Sequence, residues 1–240
     1  MVDVGRQVVL DTETTGMNKL GVHYEGHRVI EIGCYELVNR KPTGRRFHQY
    51  LNPGRPVDPE AVAVHGITDE MLADKPAFAS VADEFLDFIS GSELIIHNAA
   101  FDVGFLDQEL RLSGVATTVA ELAKVTDTLV MARSLHPGQK NNLDALCKRY
   151  HIDNGHRTFH GALLDAEILA DVYLAMTGGQ TTLNLAHEGA GSGSGEGLVR
   201  LATSRPALRV IRASDVELAA HQETLKKVDK KSGGALWHQQ

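Results

Sequence analysis

Val8-Val9-Leu10-Asp11-Thr12-Glu13-Thr14-Thr15-Gly16 joins an apolar run to two carboxylates and a turn. Residues 7–10 read as a short strand, and the acids follow it directly. Side chains alternate across extended backbone, so Asp11 and Glu13 point to one side, about 7 Å apart along the chain. Two acids at a strand end can hold a hard divalent cation through their oxygens, as Mg²⁺ requires. Taken alone, such a pair more often marks a solvated strand edge or a turn.

The neighbouring stretches decide what kind of sheet receives this strand. Residues 28–39 and 44–51 also read as strands, with β-branched and alternating residues between Gly and Pro turns, which predicts an antiparallel meander. After Pro59 the pattern turns helical: Phe78, Val81, Ala82, Phe85, Leu86 and Ile89 recur at the spacing of one buried face. Strands follow at 93–97 and 125–127, and helices at 101–112, 128–135, 143–150 and about 161–176. A meander followed by alternating helix and strand predicts an α/β fold, a mixed five-stranded sheet flanked by helices on both faces.

Two more acids sit at comparable places. His97-Asn-Ala-Ala-Phe-Asp102 follows the fourth strand and opens a helix, and His160-Gly-Ala-Leu-Leu-Asp165 puts an acid on the first turns of the last long helix. A sheet edge can gather all four, but four carboxylates in one cleft repel each other unless cations neutralise them. That points to a two-metal site for phosphoryl displacement, one ion activating water and the other stabilising the leaving oxygen. No cysteine accompanies the acids, so oxygen ligands favour Mg²⁺ or Mn²⁺ over zinc. His160 and Asp165 lie about 140° apart on a continuous helix, so His160 is expected in the preceding loop. An imidazole there, with an ordinary pKa near 6.5, can take a proton from the attacking water. The chain has twelve histidines, so position alone would not single this one out.

The bulk properties narrow the setting. At 240 residues, 42% hydrophobic and 23% charged, the chain suits one substantial domain with an appendage and excludes a fibrous or wholly disordered protein. Cys34 and Cys147 lie far apart without Cys-x-x-Cys spacing, as reduced core thiols would. No signal-like stretch opens the chain and no apolar run nears the length of a membrane span, so a cytoplasmic location is expected. The net charge is −7, yet residues 186–240 carry eight Lys and Arg against six Asp and Glu, leaving −9 on residues 1–185. Such a domain repels phosphate, and metal ions or partners must supply the attraction to any nucleic acid.

Composition breaks at 188–197, a Gly- and Ser-rich linker. Beyond it, 208–211 reads as a strand and Ser214-Asp-Val-Glu217 as a capping box opening a helix to about residue 228. This piece of about 43 residues is too small for a large core of its own and is expected to dock on a partner.

The three acidic stretches, in this order and separation, resemble the exonuclease motifs of the DnaQ-like DEDDh exonucleases, which have a ribonuclease-H-like fold. The likeness spans about residues 7–177, and the histidine five places before the last acid marks the histidine branch. Within that family, Gly21-Val-His-Tyr-Glu-Gly26, Val57-Asp-Pro-Glu-Ala61, Val64-His-Gly-Ile67, Asn142-Leu-Asp-Ala-Leu146 and Ala175-Met-Thr-Gly-Gly-Gln-Thr181 are similar to the proofreading subunits of bacterial replicative polymerases. The resemblance implies Asp11, Glu13, Asp102 and Asp165 as metal ligands for two divalent cations, His160 as general base, and Glu60 and His65 as contacts to the terminal nucleotide. Asp11, Glu13 and Asp165 would also touch substrate. It further implies a single-stranded or frayed DNA 3′ terminus as substrate. Gln180, Leu183 and Leu185 would contact a sliding clamp, and the segment beyond the linker, with Trp237, the polymerase catalytic subunit. A small accessory subunit is a possible further partner. The implied organisation is an exonuclease domain at 1–185, a linker at 186–197 and a polymerase-binding segment at 198–240. Two alternatives stay open: an RNA exonuclease of the same superfamily, and a non-catalytic scaffold bridging polymerase and clamp.

Overall fold

A computed structural model describes residues 5–155, 159–178 and 212–232. Five strands, β1 (Arg6–Thr14), β2 (Val29–Val38), β3 (Lys41–Tyr50), β4 (Glu93–Ile96) and β5 (Lys124–Asp127), form one sheet in the order β3-β2-β1-β4-β5. The meander β1–β2–β3 is antiparallel, while β4 and β5 run parallel to β1. The helices are α1 (Pro59–His65), α2 (Asp69–Leu72), α3 (Ala82–Ile89), α4 (Ala99–Leu112), α5 (Val119–Leu122), α6 (Thr128–Leu135), α7 (Leu143–Tyr150), α8 (Ala162–Gly178) and α9 (Asp215–Ser232).

Alternation along β1 and β4 divides the core between the two faces. Val8, Leu10, Leu94 and Ile96 pack with Phe85 of α3 and Phe105 and Leu106 of α4. Val9 and Ile95 point the other way, against Ala166, Leu169, Ala170 and Tyr173 of α8. Each large apolar side chain buried this way contributes about 1.5–3 kcal/mol relative to exposure. The ribonuclease-H-like arrangement expected from the sequence, a mixed five-stranded sheet flanked by helices, is the one found.

Several boundaries differ from the expectation. β1 does not end at Leu10: pairing with β2 continues through Glu13 opposite Glu31, so both acids lie inside the strand. α4 starts at Ala99 rather than 101, because the Asp127 carboxylate accepts the Asn98 and Ala99 N–H groups (3.2 and 3.1 Å) while Asn98 takes φ 67°. The stretch 78–89 is a 3-10 turn, Phe78–Ser80, and then α3. The turn to helix after Pro59 is found as α1, which opens on Pro59 and closes on Gly66 at φ 71°, whereas the four-residue helices α2 and α5 have no counterpart in the sequence reading.

The described residues fall into two units, one holding those up to 178 and the other 212–232. In the second, the Ser214 capping box is formed: Ser214 N donates to Glu217 Oε2 (2.8 Å) and Glu217 N to Ser214 Oγ (3.4 Å). α9 runs to Ser232, past the expected end near 228, with most of its side chains exposed. The expected linker, the strand at 208–211, Gln180, Leu183, Leu185 and Trp237 lie outside the described residues. Among the described residues no helix is long and apolar enough to cross a membrane.

Candidate active site

β4 stops at Ile96, opposite Leu10, while β1 continues to Thr14. Asp11 to Thr14 therefore have β2 on one side and an opening on the other, outside the carboxyl end of a parallel strand. The chain leaves β1 toward β2 and leaves β4 toward β5, so the opening lies where connections diverge, the usual place for a ligand crevice in such sheets. The first turns of α4 and α8 close around it.

Asp11, Glu13, Asp102, His160 and Asp165 all line this one cavity of about 250 Å³. Asp11 and Glu13 share the face of Val9 and so turn toward α8. Asp165, 3% exposed, lies in the first turn of α8. His160 precedes that helix, in the loop expected for it; its N–H donates to the Val64 carbonyl (3.2 Å), and its Nδ1 lies 3.3 Å from Asp165 Oδ2. Glu13, His160 and Asp165 each offer one ligand atom, all within 4.8 Å of one another, a grouping able to hold a metal ion.

Asp102 reaches the cavity from the other side of β1. Its Oδ1 accepts the Thr12 N–H (3.1 Å) and hydroxyl (2.7 Å). Burial outweighs these bonds and, with the negative charge of Asp127, pushes the Asp102 carboxyl up to about 7. A cation beside it would draw that value back down, so the donor set fits a hard divalent ion better than it fits an empty cleft.

A second cavity, about 710 Å³, adjoins the first, with Glu13 and Phe101 lining both. Glu60 and His65 lie in its wall with Met17, Lys19 and Val64. Glu60, in the first turn of α1, is exposed and pairs with Lys19 Nζ at 2.6 Å. His65 is buried, and its Nδ1 accepts the Ile67 N–H (3.0 Å), which leaves the ring proton on Nε2. Burial lowers its pKa against the opposing influences of Thr14 and Glu31, so the ring is neutral near pH 7.

The sequence reading did not identify Thr12, Asp127 or Phe101. Thr12 had a signal: lying between two acids on a strand, it must face the opposite side. Asp127 had none, because its role in starting α4 depends on β5 lying beside β4.

A model of the exonuclease family, RNase T, matches residues 8–173. The DNA polymerase III subunit epsilon of Escherichia coli (strain K12) is 58% identical over 98% of this chain and 98% of its own length. That of Haemophilus influenzae is 55% identical over 99% and 96%. Among solved structures, exonuclease X in complex with 5′ overhanging duplex DNA is 27% identical, with a TM-score of 0.56 over 72% of this chain and 91% of that one. The chain thus belongs to the exonuclease family and, within it, to the DNA polymerase III epsilon subunits.

Proposed function

We propose that the cleft removes nucleotides one at a time from the 3′ end of DNA and so proofreads replication within the polymerase III core. The observation that carries this reading is the meeting of Asp11, Glu13, Asp102, His160 and Asp165 in one cavity beside a larger one able to take a nucleoside. Asp11, Glu13, Asp102 and Asp165 would hold two cations, Mg²⁺ or Mn²⁺, with Asp102 on the second. When bound, these supply Lewis-acid activation of water and charge stabilisation at the leaving oxygen.

The protein groups do the rest. His160 Nδ1 lies 3.3 Å from Asp165 Oδ2, and a ring proton held on that side would leave Nε2 to accept one from the attacking water. Water adds to phosphorus as the bond to the 3′ oxygen of the preceding nucleotide breaks, and a deoxynucleoside 5′-monophosphate leaves. In the larger cavity, Phe101 and Met17 offer apolar surface to the base, Glu60 offers a polar contact to the sugar, and the buried His65 forms part of the wall beside them. A mismatched terminus frays more readily than a paired one, which biases removal toward errors.

The 98% coverage of the Escherichia coli relative supports the same assembly here. Residues 1–185 would be the exonuclease domain, 186–197 a linker and 198–240 the segment bound by the catalytic alpha subunit. Gln180, Leu183 and Leu185 would hold the sliding clamp, and a small theta-like subunit is a further candidate partner, all in the cytoplasm. In the test, a 5′-labelled oligonucleotide with a mismatched 3′ end is incubated with Mg²⁺ and the parent, Asp11→Ala or Asp165→Ala. Stepwise shortening by the parent alone is expected, and equal shortening by the variants would refute the assignment. Single-stranded RNA offered in parallel separates this reading from an RNA trimmer.

A further inference from the structure

The first turn of α8 carries Asp165 and follows His160 after Gly161, so whatever seats that turn places two of the five residues assigned to the site. Its seat is on β2. A Cβ at Gly33 would stand 2.2 Å from the Leu163 amide nitrogen, so helix and strand meet backbone to backbone there. Two residues earlier on the same face, Glu31 is 2% exposed. Its Oε2 accepts the Ala162 N–H (3.1 Å), and its Oε1 accepts from His48 Nε2 (2.7 Å). Tyr50 is paired with Glu31 in register across β3, and Glu13 is paired with it across β1. The Tyr50 hydroxyl is raised in pKa first by burial and then by the Glu31 carboxylate.

A buried carboxylate beside a second glutamate is a poor choice for packing, since an apolar residue of similar volume would avoid the desolvation and repulsion. What it supplies is an acceptor for a helix N-terminal N–H that has no partner within the helix. We infer that Glu31 is a positioning residue for the reaction: held by His48, it pins Ala162 and thereby sets Asp165 and His160 beside Glu13. The inference rests on the exonuclease reading of the cleft. It adds a residue that touches neither substrate nor metal.

The test uses the full chain. Melting temperature, Mn²⁺ affinity by calorimetry without DNA, and kcat and KM on a single-stranded oligonucleotide are measured for Glu31→Ala, Glu31→Gln and His48→Ala. Outer partners of metal ligands typically govern affinity or rate by about 10–100-fold. Glu31→Ala is expected to lose about that much in both Mn²⁺ affinity and kcat, with KM within about 2-fold. Glu31→Gln keeps an oxygen for Ala162 and is expected to recover most of both. His48→Ala leaves the acceptor in place but less firmly held, and is expected to lose several-fold in each.

A folded Glu31→Ala with parental Mn²⁺ affinity and kcat overturns the inference. So does a Gln variant as impaired as the Ala variant. If Glu31→Ala does not fold, His48→Ala decides, and no change in either readout counts against the inference. Asp165→Ala, run alongside, separates the two levels: if it still binds Mn²⁺ and cleaves, the reading of the cleft has failed and this inference with it. If it is inactive while Glu31→Ala behaves like the parent, only this inference fails.

Discussion

The two halves of β1 differ sharply although they are one strand. Val8, Val9 and Leu10 are fully buried, with strands on both sides and helices on both faces. Asp11, Thr12 and Glu13, the next three residues, keep β2 but lose β4 and line the cavity that gathers the carboxylates. The backbone is continuous, so the change from core to site comes from where a neighbouring strand stops. The first half should control stability and the second half turnover, with little exchange between them.

The largest effect expected is in the second half. Glu13→Ala should remove measurable cleavage while leaving the melting temperature unchanged or raised, because it deletes a mutually repelling acid. A fall in melting temperature matching the loss of rate would dissolve the contrast. Next is His160→Gln, which should slow turnover by about 10²–10⁴-fold, the usual contribution of a positioned base. A loss in kcat of less than about 10-fold would remove His160 from the role of base.

In the first half, Leu10→Ala should cost about 2–5 kcal/mol of unfolding free energy, read from denaturant melts, with kcat per folded molecule preserved. A smaller change is expected at Glu36, on β2 opposite Val8. Burial raises the Glu36 pKa, but bonds from Thr43 and Arg6 and the charge of Arg45 outweigh it and leave the carboxyl below its ordinary 4.5. A depressed carboxylate contributes fully above its unfolded value and loses that contribution as pH falls through the folded one. The parent should therefore lose stability on acidification below about pH 4.5, and Glu36→Gln should show a shallower loss while being about 1–3 kcal/mol less stable at neutral pH. Parallel acid profiles for the two would remove Glu36 from the account.

The same contrast explains what was legible in the sequence. Alternation and helical spacing are local signals, so the meander, the later strands and the long helices could be read from them. The acids could be read because each lies near one end of a recognisable strand or helix. What could not be read depends on partners distant in sequence. β1 continues past Leu10 because β2 pairs with it, α4 starts early because Asp127 caps it across 28 residues, and Glu31 acquires its neighbours only when α8 lies on β2. Short helices such as α2, four residues long, span too little chain for periodicity to show.

The central claim is that distant segments build one cation-binding cleft at the open edge of β1. Anomalous diffraction from crystals of the protein grown with Mn²⁺ and a deoxynucleoside monophosphate tests it most directly. The account predicts two manganese peaks among Asp11, Glu13, Asp102 and Asp165, with the base in the cavity bounded by Phe101 and His65. Manganese bound elsewhere on the chain, with that cleft lacking any peak, would contradict it.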